Sequence, residues 1–359
     1  MLKKKPLVWL SLLLAFGLVV AACGGDDAES GSDDAATDGG EVTDCPDVEG
    51  EVTVSGSSTV EPISSLVGEK LIDCGSGIAA TVDGPGTGDG FQLFCAGETD
   101  ISDASRPIKE EEVASCDEAG IEFIELKIAF DGISVLTNPA NEAVDCLSFE
   151  DLYALIGPES DGFDNWSAAQ DLATELGSST VLPDADLKIT APGAESGTYD
   201  SFLELVFGDI SEARAEEGKI TEDQIETSRN DYASQADDTA IIAAMEAEDT
   251  PLGWVGFAFA EEAGDQVKEL SVSVEGGECV EPTAETIADG SYPISRGLYV
   301  YVNKAKAEEN AAVAAFIDFY LSDDGLASVS EAGYVDLPAD QLEASAAIWE
   351  ARTAGTTAE

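Results

Sequence analysis

Residues 52–70 read VTVSGSSTVEPISSLVGEK. The β-branched run at the start predicts a strand, and the apolar residues at helical spacing after it predict a helix. Ser58 or Thr59 is the expected N-cap, and Pro62 suits the first helical turn. Such a junction points backbone N–H groups, hydroxyl donors and the positive end of a helix dipole at one place. It therefore predicts an anion site, although many helices capped by Ser or Thr bind no ligand.

Composition limits what this site can belong to. The chain has 359 residues, 44% of them hydrophobic, which is enough for a large core and favours two domains over one. It contains no histidine, which excludes Ser-His-Asp and Cys-His nucleophiles and any His-ligated metal. The net charge of −58 argues against nucleic acid or an anionic membrane surface as a partner. Local dipoles, rather than long-range attraction, must therefore hold an anion.

The N-terminal segment predicts export. Residues 1–22 combine three lysines with an apolar run that ends in small residues, as a signal peptide does. Cys23 follows Val-Ala-Ala, a pattern similar to a lipobox, which predicts a lipidated cysteine and anchoring on the extracytoplasmic face of the cell membrane. Residues 23–44 are mostly Gly, Asp, Ser and Ala, which predicts a disordered tether.

Six further cysteines make an even set on an exported chain, which predicts three disulfides. Sequence alone allows many connectivities. The order of the predicted elements favours three pairs, Cys45 with Cys74, Cys95 with Cys116, and Cys146 with Cys279. The last pair would place its two cysteines in one structural unit.

Two more strand-to-helix junctions repeat the first. Residues 78–82 predict a strand, and the Gly-rich loop 83–90 leads to another helix. This loop has neither the lysine of a phosphate-binding P-loop nor the acidic partner of a dinucleotide fold. Residues 187–190 predict a third strand, which runs into Ser196-Gly197-Thr198 and a helix. Three such junctions in one chain favour an anion site more strongly than one does.

The segment DISDASRPI, residues 100–108, places Asp103 three residues before Arg106 and precedes a helix that Pro107 is expected to begin. Arginine is rare in this chain, so Arg106 is a candidate for function. Residues 121–137 predict two β-rich runs on either side of Asp131-Gly132, where the chain crosses into a second lobe. The remainder predicts a return strand at 292–303, a helix at 305–321 and a last helix.

These motifs together resemble the lipid-anchored phosphate-binding proteins of bacterial ABC phosphate importers, and the resemblance spans roughly residues 52–334. The motifs are SGSSTVEP, GPGTGDGF, DISDASRPI, ESGTYDSF, LGWVGFAFAEE and YPISRGLYVYV. The resemblance implies an α/β, two-lobed type II periplasmic-binding-protein fold, each lobe a mixed sheet flanked by helices, with a ligand cleft between them. Lobe 1 is then residues 45–128 and 301–359, and lobe 2 is residues 129–300.

The resemblance also implies a ligand set for phosphate. It consists of Ser58, Thr59, the N–H of Val60, Thr87, Asp103, Ser196, Gly197 and Thr198. Family members that carry an arginine just upstream of Ser-Gly-Thr use it on the ligand, and here Pro192 stands at that place. Arg106 is the expected substitute, with Arg229 and Arg296 ranked behind it.

Asp103 is informative because a carboxylate can accept a hydrogen bond but cannot donate one. Beside an anion it fits a ligand that still carries a proton, as phosphate does near neutral pH and sulfate does not. The sequence thus predicts a monomeric receptor that binds inorganic phosphate, hands it to an ABC permease and closes by hinge motion. It predicts no catalysis, cofactor or metal. The alternatives are a receptor for arsenate, sulfate or molybdate, and a secreted phosphatase, which would lack a base to activate its serine.

Overall fold

The computed structural model describes residues 45–194, 196–274 and 276–356. The predicted signal peptide (residues 1–22), the tether (23–44) and Cys23 lie outside them, so the predictions made for these segments stay predictions. Among the helices that are described, none combines the length and the apolar character needed to cross a membrane.

This described part of the chain folds into eleven strands and thirteen α-helices. The strands are β1 (Glu49–Gly56), β2 (Gly77–Asp83), β3 (Ile101–Ala104), β4 (Phe123–Thr137), β5 (Cys146–Ser148), β6 (Lys188–Pro192), β7 (Ala233–Gln235), β8 (Pro251–Gly256), β9 (Lys268–Ser273), β10 (Ser295–Asn303) and β11 (Val335–Asp336). The helices are α1 (Glu61–Asp73), α2 (Thr87–Cys95), α3 (Glu110–Ala119), α4 (Phe149–Ile156), α5 (Gln170–Leu176), α6 (Gly197–Glu216), α7 (Asp238–Ala247), α8 (Phe257–Ala263), α9 (Ala284–Ala288), α10 (Lys304–Glu309), α11 (Ala311–Tyr320), α12 (Asp323–Glu331) and α13 (Ala339–Ala351).

The strands form one mixed sheet in the order β2-β1-β3-β10-β4-β8-β6-β7. β1 runs parallel to β2 and β3, whereas β10 runs antiparallel to both β3 and β4. Beyond β4, β8 is antiparallel to it, and β6 is parallel to β8 and β7. β9 and β11 also pair with β4, and β5 pairs with β9. The prediction of an α/β fold with a mixed sheet flanked by helices is confirmed.

β4 is one continuous strand of 15 residues, which corrects the prediction of two runs separated at Asp131-Gly132. Gly132 lies inside the strand, where it pairs with Ser295 of β10, and α9 packs directly on it. A Cβ at this position would come within 2.5 Å of the side chain of Ile287. The glycine therefore marks a close contact rather than a chain turn.

The buried side chains form two large clusters. One draws its residues from between Val52 and Ala129 and between Leu298 and Trp349, and the other from between Phe130 and Ile294. Two smaller clusters lie beside them, one around Phe91 and Tyr301 and one around Ile241 and Val255. The predicted lobe boundaries, 128/129 and 300/301, fall within the continuous strands β4 and β10. The division into lobes at those residues stays a prediction.

Two helix predictions need correction, one for a break inside the helix and one for its start. The single helix expected over 305–321 is broken into α10 and α11, because Asn310 ends the first and its side chain accepts the N–H of Ala312 at the start of the second. The helix expected to begin at Pro107 begins instead at Glu110. There the Glu112 carboxylate accepts the N–H of Lys109, which fixes the helix start three residues later.

All three predicted disulfides are present. Cys45 pairs with Cys74, Cys95 with Cys116, and Cys146 with Cys279. The first ties the chain before β1 to the end of α1, and the second ties α2 to α3. The third closes a loop of 133 residues, from β5 to the segment after β9.

The contact between α2 and β1 depends on glycine, which makes it testable. A Cβ on Gly90 would lie 2.4 Å from the Cα of Gly56, a backbone atom that cannot move aside without shifting β1. We expect Gly90→Ala to lower the free energy of unfolding by about 1–3 kcal/mol, measured by urea denaturation. Gly88→Ala is the control in the same helix, because its Cβ would meet only Arg106, at 4.0 Å. It should stay within about 1 kcal/mol of the wild type, and equal losses in both variants would contradict this account.

Candidate functional site

The loop after β1 is shaped by backbone bonds, which corrects the predicted cap. The carbonyl of Ser57 accepts the N–H groups of Val60 (3.1 Å) and Glu61 (3.0 Å). The N-cap residue is Val60, without any side-chain cap bond, so neither Ser58 nor Thr59 caps α1. Because backbone hydrogen bonds close this turn, the Thr59 hydroxyl does not cap α1 and can contact other groups. The Val60 N–H, a predicted ligand donor, is bonded to Ser57 in this structure.

Asp103 lies at the carboxyl end of β3, next to this loop. Its carbonyl accepts the N–H of Ser57 at 2.9 Å, and Gly56 is its register partner. Its side chain is 1% exposed. Ser64 donates to Oδ1 at 3.1 Å, and Oδ2 has no hydrogen-bond partner in the structure. Burial raises the pKa of Asp103 to about 7, the Ser64 hydrogen bond opposes that rise, and the nearby Glu61 adds to it.

Thr87 is the first residue of α2, so the helix begins inside the loop predicted for residues 83–90. Its hydroxyl lies 3.1 Å from the Ser105 hydroxyl and accepts the Ser105 N–H at 3.2 Å. Gly86 donates its N–H to the carbonyl of Gly56 at 2.8 Å. The start of α2, whose first N–H groups have no partner within the helix, is therefore held against the end of β1.

The predicted Ser196-Gly197-Thr198 motif starts α6, with Ser196 as the N-cap residue. Gly197 faces the first loop, since a Cβ there would lie 3.6 Å from the Ser58 carbonyl oxygen. One turn later, the hydroxyl of Ser201 lies 3.1 Å from that of Thr59. The N-terminus of α6 and the loop between β1 and α1 thus meet, although well over a hundred residues separate them in the chain.

Arg296 reaches the same point from β10. Its Nη2 donates to the hydroxyls of Thr59 (3.1 Å) and Ser201 (2.6 Å). Asp131 of β4, its cross-strand register partner, accepts from Nε at 3.3 Å, and Glu204 of α6 accepts from Nη1. The side chains of Arg296 and Asp131 are 10% and 4% exposed, so this ion pair is buried. Burial raises the pKa of Asp131, and the guanidinium opposes the rise.

The other two candidate arginines have different partners. Arg106 donates to both carboxylate oxygens of Glu112, at 2.8 and 2.7 Å, and lies over the ring of Phe91. Arg229 is buried and donates to the carbonyls of Leu155 and Phe163 and to Asp231. Arg106 also lies beside Gly88 in the first turn of α2, whereas Arg296 donates to the loop after β1 and to α6, so which arginine contacts the ligand stays a prediction.

The structure thus brings most of the predicted residues to two neighbouring groups. Ser58, Thr59 and Gly197 meet beside Arg296, while Asp103 and the start of α2 lie on either side of Gly56. Sequence reasoning missed Ser64, Ser105, Ser201 and Asp131. Ser201 could have been found, because it lies little more than one helical turn after Ser196. Within the described residues, no group of three or more His, Cys, Asp or Glu side chains could hold a metal ion.

Comparisons with known proteins identify the family of this chain. A family model described as a PBP superfamily domain matches residues 31–324. Phosphate-binding protein PstS of Staphylococcus saprophyticus is 33% identical over 336 residues, which cover 93% of this chain and 91% of that protein. Protein SphX of Synechococcus elongatus is 34% identical over 307 residues, covering 85% of this chain and 83% of SphX.

Among solved structures, a possible phosphate binding protein from Planctomyces limnophilus DSM 3776 superposes with a TM-score of 0.74 at 32% identity. The alignment covers 85% of this chain and 99% of that one. The sequence resemblance and the fold it implied are therefore confirmed. This chain belongs to the PBP superfamily and, within it, to the family of PstS-type phosphate-binding proteins.

Proposed function

We propose that this protein is an extracytoplasmic receptor that binds inorganic phosphate and delivers it to the permease of an ABC importer. It acts as a monomer, anchored to the membrane through lipid on Cys23. The relatives named phosphate-binding proteins support the ligand, and one observation in this chain carries the proposal. That observation is the buried Asp103 carboxylate, whose Oδ2 has no hydrogen-bond partner in the structure.

An unsatisfied carboxylate oxygen in a site screened from water is costly, so it needs a donor. Asp103 cannot supply that donor itself when ionised. A ligand oxygen that carries a proton can, and phosphate near neutral pH has one. The carboxylate then repels fully ionised anions while it accepts a hydrogen bond from phosphate. Asp103 is thereby the residue that makes the site selective.

The remaining donors suit an anion. The N-terminal turns of α2 and α6 leave backbone N–H groups free of helical partners and carry the positive ends of the helix dipoles. Arg296 adds a guanidinium held by Asp131, with Thr59 and Ser201 beside it. Donors of this kind stabilise the negative charge of a bound anion at short range, although the net charge of the chain is −58.

We further propose that residues 45–128 with 301–359, and residues 129–300, form two lobes that close on the ligand. Closure would bend β4 and β10, the strands in which both crossings fall. The hydroxyls of Thr59 and Ser201 would meet across the cleft, with Arg296 between them.

Arsenate carries a proton under the same conditions, so the Asp103 carboxylate can accept a hydrogen bond from it, whereas the carboxylate repels sulfate. Molybdate stays an alternative ligand. A phosphatase has little support, because the chain has no histidine to act as a base for a serine such as Ser196.

Replacing Asp103 tests the selectivity directly. Asp103→Asn keeps the shape of the side chain but removes the negative charge, so repulsion of sulfate should fall. We expect the sulfate-to-phosphate affinity ratio to rise roughly ten- to a hundredfold, equivalent to about 1–3 kcal/mol, by competition calorimetry at fixed ionic strength and about pH 9, where Asp103 is ionised in the wild type. Asp89→Asn removes an equal charge from an exposed position of α2 and should leave the ratio nearly unchanged. An unchanged ratio in Asp103→Asn would place selectivity elsewhere.

A matched pair of variants identifies the ligand's arginine. Arg296→Lys keeps the charge but loses the planar fork that spans Asp131 and Thr59, so phosphate affinity should fall by about ten- to a hundredfold. Arg106→Lys should change the affinity by less than about threefold. Thermal unfolding of both variants separates a binding loss from a folding loss. If only Arg106→Lys loses affinity while staying folded, Arg106 is the ligand residue.

The lipid anchor is tested on the native protein. Intact-mass analysis of the protein extracted from membranes should show a mature chain that begins at a diacylated Cys23. Cys23→Ala should prevent that modification and change processing. A native N-terminus without any lipid would refute the anchor while leaving the binding proposal intact.

A further inference from the structure

Two hydroxyl groups lie behind Asp103, on the side of α1 and α11. Ser64 donates to Asp103 Oδ1 at 3.1 Å, and the hydroxyl of Tyr320 lies 3.3 Å from the Ser64 oxygen. Both side chains are fully buried. A buried serine and a buried tyrosine are thus linked in series to one oxygen of the carboxylate, and the other oxygen has no partner in the structure.

The direction of these bonds follows from the groups themselves. An ionised carboxylate only accepts, so the single proton of Ser64 goes to Asp103. Ser64 can then only accept from Tyr320, which must donate. Burial and the neighbouring Asp103 raise the pKa of Tyr320 well above its ordinary value, which keeps its proton in place. The hydrogen bonds therefore run in one direction, from Tyr320 to Ser64 and from Ser64 to Asp103; we call this series the hydroxyl chain.

The charged groups around Asp103 explain why this series of hydrogen bonds is needed. α1 contributes Glu61, whose charge disfavours a second carboxylate, and α11 contributes Tyr320. β1 and β10 contribute Gly56 and Val300 as register partners, and neither titrates. Burial and Glu61 raise the pKa of Asp103 to about 7, and the Ser64 hydrogen bond is the contact that opposes them. Without it, more of the carboxyl would be protonated at neutral pH.

We propose that Ser64 and Tyr320 are positioning residues that hold Asp103 as an acceptor, and so determine selectivity between proton-bearing and proton-free oxyanions. This inference rests on the proposed phosphate-binding function. With Asp103 ionised, Oδ2 accepts from phosphate and repels sulfate. With Asp103 protonated, the same oxygen can donate, which sulfate can accept. Loss of the hydrogen bonds from Ser64 and Tyr320 therefore relaxes selectivity without changing any residue that contacts the ligand.

The test is a pH profile of the sulfate-to-phosphate affinity ratio, measured by competition calorimetry from about pH 6 to about pH 9. In the wild type the ratio should rise as the pH falls through the pKa of Asp103. Removing a hydrogen bond to the charged form raises that pKa, so Ser64→Ala should move the rise upward by about one pH unit. Tyr320→Phe should move it less, in the same direction, because Ser64 still donates. The titration of free phosphate is the same for every variant and cancels in the comparison.

Ser65→Ala is the control, since Ser65 neighbours Ser64 in α1 but makes no hydrogen bond to Asp103. It should reproduce the wild-type profile. A second measurement needs no ligand. Carboxyl carbon NMR, with the Asp103 signal assigned by its loss in Asp103→Asn, should show the same upward movement in Ser64→Ala and Tyr320→Phe.

The outcomes separate the two proposals. Shifts in both variants, with an unchanged control, support the positioning role. Unshifted profiles and unshifted carboxyl titrations overturn it, as does a loss of affinity that is equal for both anions at every pH, because that pattern reports structural damage. If the wild type binds neither anion, the proposed function fails, and the carboxyl titration then decides by itself whether Ser64 and Tyr320 control Asp103.

Discussion

The buried ion pair between Asp131 and Arg296 is the interaction on which the arrangement of the site depends. The two residues are register partners in neighbouring antiparallel strands, β4 and β10, which run through the middle of the sheet. Burying either charge alone would cost several kcal/mol, so the strands position both together. With Nε held by Asp131, the neighbouring Nη2 of the same guanidinium donates to Thr59 and Ser201. The register between β4 and β10 therefore sets the orientation of the Arg296 guanidinium.

The second constraint is that an anion must be held in a strongly acidic molecule. The proposed site would meet it with short-range groups, namely helix N-termini, hydroxyls and one arginine, whose effect does not rely on the net charge. Carboxylates nonetheless surround the site. Glu61 lies near Asp103, and Glu204 shares Arg296 with Asp131. In such surroundings the protonation of Asp103 depends on its hydrogen bonds, which gives the hydroxyl chain from α11 its importance.

Covalent links support the framework around these contacts. The disulfides of Cys45 with Cys74 and of Cys95 with Cys116 join elements that flank the first two junctions. Closing loops in the unfolded chain reduces its entropy and so favours the folded state. The close contact of Gly90 with Gly56 then fixes α2 against β1. The loops of the candidate site are therefore carried by rigid elements.

The sequence by itself determined the features that depend on near neighbours. The strand-to-helix junctions at Ser58, Thr87 and Ser196 were predictable, because β-branched runs, small residues and helical spacing act over a few residues. The cysteine pairs were also predictable once the order of elements was known. The export signal and the tether stay predictions, made from the composition of residues 1–44.

Tertiary structure alone decided the features that depend on distant partners. The backbone of Ser57, held by the carbonyl of Asp103, closed the turn that Ser58 or Thr59 was expected to cap. β4 stayed continuous through Asp131 and Gly132 because β10 pairs with it there, which no local pattern indicates. Arg296 lies beside Thr59 and Ser201 because cross-strand register brings it to Asp131, a residue 165 positions away in the chain. Register is fixed by hydrogen bonds between strands and by the buried pair itself, and such non-local contacts exist only after the chain has folded.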